Sequence, residues 1–271
     1  MSIADPHPRA SLREEIRRFR RAQEIMREAG VPMFTPSGIL PGLKGIIFDP
    51  HETSHVFTLF SSLIGPLEYR AMGHFVESPR GKDLLARRPN LVAVLSDRAR
   101  LAALPEGSLG RAYLEFVTRE NISADGLVEA SVKGTRLLKG KGEADFIAGY
   151  LRDVHDVWHV VTGYHGDVVG ELALLAFSFA QLGNLGVGLL VGISAALGPV
   201  LPTPIDRDGR RAIVEGYRRG RRAKWFPTVD WIPLLERPLV EVRRELGVEI
   251  EGAKYREVRV EKGQSLIQLA A

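Results

Sequence analysis

No charged side chain occurs from Leu172 to Ile205, a run of 34 residues. Few folds can accommodate such a run. Two membrane-crossing helices would need more, because each takes about 20 apolar residues. Gln181, Gly183, Asn184 and Gly186 divide the run into two pieces of roughly helix length. The second piece, "LGVGLLVGISAALGPVL", is spaced by Gly and Ala rather than filled with Leu and Phe. Small residues let helices approach closely or leave room for something else. The first reading is therefore a pair of buried core helices. Core helices that also line a cavity for an apolar ligand, and a single membrane span, are the alternatives.

The rest of the chain has mainly helical patterning. Ser11–Gly30 opens on a cap-like Ser and ends at Gly. Residues 31–49, with Pro32, Pro36, Pro41 and several glycines, read as an extended loop. Asp49-Pro50 reads as an N-cap and first position of a helix running through Leu63. Apolar spacing then predicts helices over Leu67–Glu77, Lys82–Arg88 and Leu91–Leu104, one capped by Ser108, and a short one from Ser123. "KGKGE" at 139–143 reads as a turn, and Ala144–Thr162 as one long helix. The best strand signals are "GIIF" at 45–48 and "EVRVE" at 257–261. The expectation is an all-α fold in a single mostly helical domain. It comprises an N-terminal helix and Pro/Gly loop over 1–48, a helical domain over 49–250 and a C-terminal tail over 251–271. A chain of 271 residues can bury a sizeable core in that form.

There is no cysteine. Disulfides, thiolate nucleophiles and thiolate ligands are thereby excluded, and any metal must be held by imidazole and oxygen. The 37 basic residues nearly balance 33 acids, for a net charge of +4. The basic side chains gather in Arg207, Arg210, Arg211, Arg218, Arg219, Arg221, Arg222 and Lys224, against only Asp208 and Glu215. This segment suits an anionic membrane surface or a substrate carboxylate, although any single Arg fits a solvated helix face as well. No nucleic-acid recognition motif accompanies it, and nucleic acid is not expected as a partner. The N-terminal arginines are interrupted by Glu14, Glu15, Glu24 and Glu28, which suggests a surface helix rather than a transit peptide. The expected location is bacterial and cytoplasmic.

Two histidine pairs share the i, i+4 spacing that puts both rings on one helix face. His51-Glu52-x-x-His55 matches the zincin pattern, but it sits just after a Pro-rich loop, near a helix end. It is read as a partly exposed surface pair. His155 and His159 are set among Ile147, Tyr150, Leu151, Val154, Trp158 and Val161. A turn, "GYHG", follows, then Asp167 as a natural N-cap. His159 lies six residues before His165 and Glu171 six after, so a helical hairpin would bring them level. Two imidazoles and a carboxylate bind Zn in hydrolases and Fe(II) in oxygenases, leaving a coordination position open. Asp156 points roughly 100° away from His155. It reads as an acid–base group or a partner of a ligand, or as a ligand itself if it bends inward. Asp153 reads as a solvent-facing residue. Core histidines paired with acids, or a phosphohydrolase of the His-Asp type, are the competing readings.

The order His155, Asp156, His159, then eleven residues, then Glu171 resembles the signature of the coenzyme Q (ubiquinone) biosynthesis protein 4 family. "ARRPNLVAVLSDRARLAALPEGSLGRAYLEFV" and "EGYRRGRRAKWFPTVDWIPLLERPLVEVRRELGV" resemble its flanking regions, and the likeness covers roughly residues 49–250. "QLGNLGVGL" departs from the turn that usually follows the Glu. The resemblance implies an α-helical fold with a metal at His155, Asp156, His159 and Glu171, most often zinc, with Fe(II) or Mg as alternatives. It implies a cavity for a polyisoprenoid tail, a homodimer, other ubiquinone-biosynthesis enzymes as partners, and peripheral attachment to the inner face of the plasma membrane. It further implies oxidative replacement of the C1 carboxylate of a polyprenyl-hydroxybenzoate by hydroxyl, with Asp156 as catalytic acid–base. The competing function is a non-catalytic scaffold that binds isoprenoid lipid.

Overall fold

Helices account for nearly all regular structure in the computed structural model, which describes residues 11–49, 52–122, 142–197, 205–248 and 255–259. In chain order they are α1 (Leu12–Glu28), α2 (Ile39–Phe48), α3 (Ser54–Ser62), α4 (Gly65–Glu77), α5 (Pro79–Arg87), α6 (Leu91–Ser96) and α7 (Arg98–Ala102). Then come α8 (Leu109–Arg119), α9 (Glu143–Asp153), α10 (His155–Thr162), α11 (Val168–Leu182), α12 (Leu185–Leu197), α13 (Arg207–Arg222) and α14 (Leu239–Leu246). No strand occurs among the described residues; two isolated bridges, Phe34 with Leu63 and Ser108 with Pro238, are the only β pairing there. The all-α expectation is met.

Several boundaries differ from the sequence reading, each for a local reason. The supposed loop after α1 contains a single 3-10 turn, Pro36–Gly38, and then α2. Pro41 falls in the first turn of α2, where its missing N–H would have had no helical partner. "GIIF" is the end of this helix, not a strand. Leu91–Leu104 is broken in two by Asp97, whose side chain accepts from the Arg100 N–H at 2.9 Å and starts α7. The expected long helix over Ala144–Thr162 is broken at Val154, so both histidines sit on their own short helix. The described part of "EVRVE" is irregular. The helix from Ser123 lies outside the described residues, as do Pro50 and His51. Capping by Ser108 and Asp167 is as expected, with Arg111 N–H to Ser108 Oγ at 3.3 Å and Val169 N–H to Asp167 Oδ1 at 3.1 Å.

The uncharged run forms α11 and the described part of α12, hinged at Gly183 with φ +74°. No helix among the described residues is long and apolar enough to cross a membrane. α11 is held most tightly by α13. Gly216 and Gly220, one turn apart, bring the backbones into contact. A Cβ on Gly216 would lie 2.2 Å from the Ala173 carbonyl oxygen, and one on Gly220 2.5 Å from that of Phe177. Beneath α10, an aromatic cluster of Trp158, Phe177, Phe226 and Trp231 fills the core, with edge-on and tilted ring contacts. α10 and the start of α11 therefore stand on a rigid floor.

Candidate metal centre

α10 carries His155 and His159 one turn apart, and Gly163, with φ +77°, ends it. The chain then turns through Tyr164–Asp167 into α11, whose first turn carries Glu171. The ligand atoms of His155, His159 and Glu171 all lie within 4.8 Å of one another. His159 Nε2 is 3.2 Å from Glu171 Oε1, and His155 Nε2 is 3.6 Å from Oε2. Two imidazoles thus face the two oxygens of one carboxylate.

The opposite ring nitrogens identify the tautomers. His159 Nδ1 is 3.1 Å from the Tyr164 carbonyl oxygen, and His155 Nδ1 is 3.1 Å from Asp156 Oδ1. Both of those oxygens accept, so each Nδ1 carries the hydrogen and donates. In the neutral ring each Nε2 is then a bare lone pair. Lone pairs on nitrogen facing lone pairs on a carboxylate repel, so the arrangement calls for a proton or a metal ion between them. Protonating both rings would set two positive imidazoliums 4.8 Å apart, centroid to centroid. One metal ion satisfies all three groups. The residues fit a divalent ion held by His155, His159 and Glu171.

With a proton in place of a metal, the same contacts act as ion pairs. Burial alone would raise the Glu171 carboxyl, but the charge and hydrogen bond of His159 and the charge of His155 bring it down to about 2. For His155, burial pulls the ring down, and the Asp156 hydrogen bond with the Glu171 and Asp156 charges more than offsets it, so the net shift is upward. His159 is 1% exposed, while the Glu171 side chain keeps 41% and His155 25%. One side of the trio is therefore exposed, while His159 lies at its buried side.

Asp156 is buried. Its carboxylate lies against the His155 ring, and it is not among the three residues whose ligand atoms converge. Asp153 is not a solvent-facing residue: its side chain is only 14% exposed and pairs with Arg152 at 2.6 Å. His55 is half-buried against α2, with its ring where a Cβ on Gly45 would be. His51 lies outside the described residues.

Several supports of the site have no signal in the local sequence. The ring of Phe116, from α8, stacks on His159 at 5.1 Å. Two arginines satisfy the last carbonyls of α10, which have no helical partner. Arg243 donates to Val160 at 2.7 Å and to Val161 at 3.0 Å, and Arg219 donates to Thr162 at 2.8 Å. Arg219 is thereby 4% exposed, unlike Arg207, Arg210, Arg211, Arg218, Arg221, Arg222 and Lys224, which face solvent. Cations at a helix C-terminus also meet its partial negative charge.

A family model described as coenzyme Q (ubiquinone) biosynthesis protein Coq4 matches residues 43–251. The ubiquinone biosynthesis protein COQ4, mitochondrial, of Clavispora lusitaniae is 29% identical over 80% of this chain and 64% of its own length. The chain thus spans somewhat under two thirds of that relative. The corresponding protein of Talaromyces stipitatus is 32% identical over 76% of this chain and 69% of its own length. A crystal structure of a protein from Nostoc punctiforme PCC 73102 shares the fold, with a TM-score of 0.58 and 23% identity over 80% of this chain and 99% of that one. This chain belongs to the Coq4 family of coenzyme Q (ubiquinone) biosynthesis proteins.

Proposed function

We propose that the chain acts in ubiquinone biosynthesis as a metal-dependent enzyme that replaces the C1 carboxylate of a polyprenyl-hydroxybenzoate with a hydroxyl. One observation carries this reading. Both histidines of the converging trio commit Nδ1 to an oxygen and turn Nε2 towards Glu171, which suits a metal on a half-open face. Membership of the family supports the pathway. A bound divalent ion, zinc by donor set with Fe(II) or Mg as alternatives, would polarise the head group. Asp156 would hold the His155 ring and move a proton at its carboxylate. The net change adds one oxygen, releases carbon dioxide and removes two electrons, so dioxygen or another two-electron oxidant accompanies the substrate. The polyisoprenoid tail would lie in an apolar cavity along α11 and α12, whose uncharged stretch begins directly after Glu171.

The same reading includes a homodimer, other enzymes of the pathway, and an anionic membrane surface. The apolar α2 supports the last of these. Leu40 and Phe48 are 60% and 65% exposed, and the outward arginines of α13 supply positive charge. The curated relatives are named as mitochondrial proteins. The same exposed apolar side chains favour a second reading, a scaffold that binds isoprenoid lipid without turnover.

The test is metal content by mass spectrometry of the parent and of His159→Ala, with product formation from a prenylated hydroxybenzoate. One equivalent of metal, lost in the variant, and a hydroxylated product that Asp156→Asn fails to make, would support the enzyme. Binding of substrate without product, under every redox condition tried, would leave the scaffold.

A further inference from the structure

The segment Tyr255–Arg259 lies beyond the 43–251 stretch matched by the family model, yet it is fastened to the turn between the two ligand-bearing helices. The Val168 N–H donates to the Val258 carbonyl at 2.8 Å. The Val258 N–H donates to Asp167 Oδ1 at 2.9 Å, and the Tyr255 hydroxyl to Asp167 Oδ2 at 3.0 Å. That hydroxyl also accepts from the His165 N–H at 3.0 Å. Arg259 anchors the far end through both oxygens of Glu120, at 2.8 and 3.2 Å. Gly170 makes the approach possible, since a Cβ there would lie 2.5 Å from the Tyr255 hydroxyl.

What this segment grips is what orients the trio. The Tyr164 carbonyl holds His159 Nδ1, and the Glu171 N–H donates to the Asp167 carbonyl at 2.8 Å. The turn is thus the one covalent link between the His159 side and the Glu171 side, and the segment ties its residues 165, 167 and 168 from outside. We propose that Tyr255–Arg259 is a strap that sets metal affinity by fixing the spacing of His159 and Glu171, with Tyr255 as a positioning residue. The proposal rests on the metal reading above.

Tyr255→Phe in the whole chain removes one hydroxyl and leaves the His165 N–H and Asp167 Oδ2 without that partner. Groups that orient metal ligands typically matter 10–100-fold in affinity. Tyr255 acts one step further out, so a loss of about tenfold is expected. Zn and Co(II) affinities, measured against a competing chelator, give this directly. The visible absorption of the Co(II) form reports ligand geometry, and melting of the metal-free protein reports the fold. Weaker binding with a changed Co(II) spectrum supports the strap. Arg259→Met, which loosens only the exposed end, is expected to shift affinity in the same direction by less, and it carries the test if Tyr255→Phe does not fold. Affinity within twofold of the parent in both variants overturns the strap, whether or not the metal-free melting temperature falls. A parent that binds no metal overturns the metal reading and the strap with it.

Discussion

In the hairpin of α10 and α11, both histidines are positioned through a second polar group. In the layer formed by α2, α3 and α12, position comes from apolar contact and backbone proximity. Lys44 is the one charged residue in those three helices, and Leu40, Ile47, Phe48 and Ile193 are all more than a third exposed. Asn184 anchors one end of the layer by polar contacts. Its Oδ1 accepts from the Val187 N–H at 2.9 Å, and its Nδ2 donates to the Phe60 carbonyl at 3.2 Å and to Glu68. Hydrogen bonds are directional and hold ring nitrogens to a few tenths of an ångström, as a metal centre needs. Apolar contact is not directional, and it leaves a surface that can change partners.

The largest expected effect would break both regions together, because α13 packs against α11 and α12 alike. Gly216→Leu drives a side chain into the Ala173 carbonyl, and the backbone cannot yield cheaply. A cost of roughly 3 kcal/mol or more is expected, with metal and vesicle binding both lost; urea unfolding measures it. Next is Leu40→Asp with Phe48→Asp. Burying each such side chain is worth about 1.5–3 kcal/mol, so with two replaced the affinity for anionic vesicles should fall by roughly 100-fold or more while metal content stays at the parent level. A parallel loss of metal would show that the two regions are not separate.

Asp156→Asn sharpens the contrast from the other side. It removes the carboxylate that holds His155 Nδ1, and about a 10–100-fold loss of metal affinity is expected with vesicle binding unchanged. The smallest effect concerns Glu68. Burial raises its carboxyl from 4.5 to about 7, despite the Asn184 hydrogen bond that opposes the shift. A folded value above the unfolded one means that its contribution to stability is full below about 4.5 and is lost as pH rises through about 7. Glu68→Gln should flatten that fall, so its melting temperature at pH 8 relative to pH 5 should exceed the parent's. An unchanged slope would place the titration elsewhere.

The converging trio of His155, His159 and Glu171 was legible because its parts are close in sequence. The i, i+4 pair, a glycine turn and a carboxylate at matched distance are local features, and local features survive translation into three dimensions. The same holds for the caps at Ser108 and Asp167. The break at Val154 was not legible, because Ala144–Thr162 keeps apolar spacing throughout. Nor was α2, where proline and glycine gave a loop signal that packing against α3 overrides.

By itself, the sequence determined the helical class, the His155, His159 and Glu171 set, and the uncharged pair of helices behind it. All three follow from periodicity and spacing over a few turns. Tertiary structure decided that the Tyr164 carbonyl holds the His159 ring, that Arg219 is buried at a helix end while its neighbours face water, and that Tyr255 closes on Asp167. Those contacts join residues 57 to 91 positions apart, or run through a backbone carbonyl that any residue type supplies. Side-chain spacing along the chain carries no information about either.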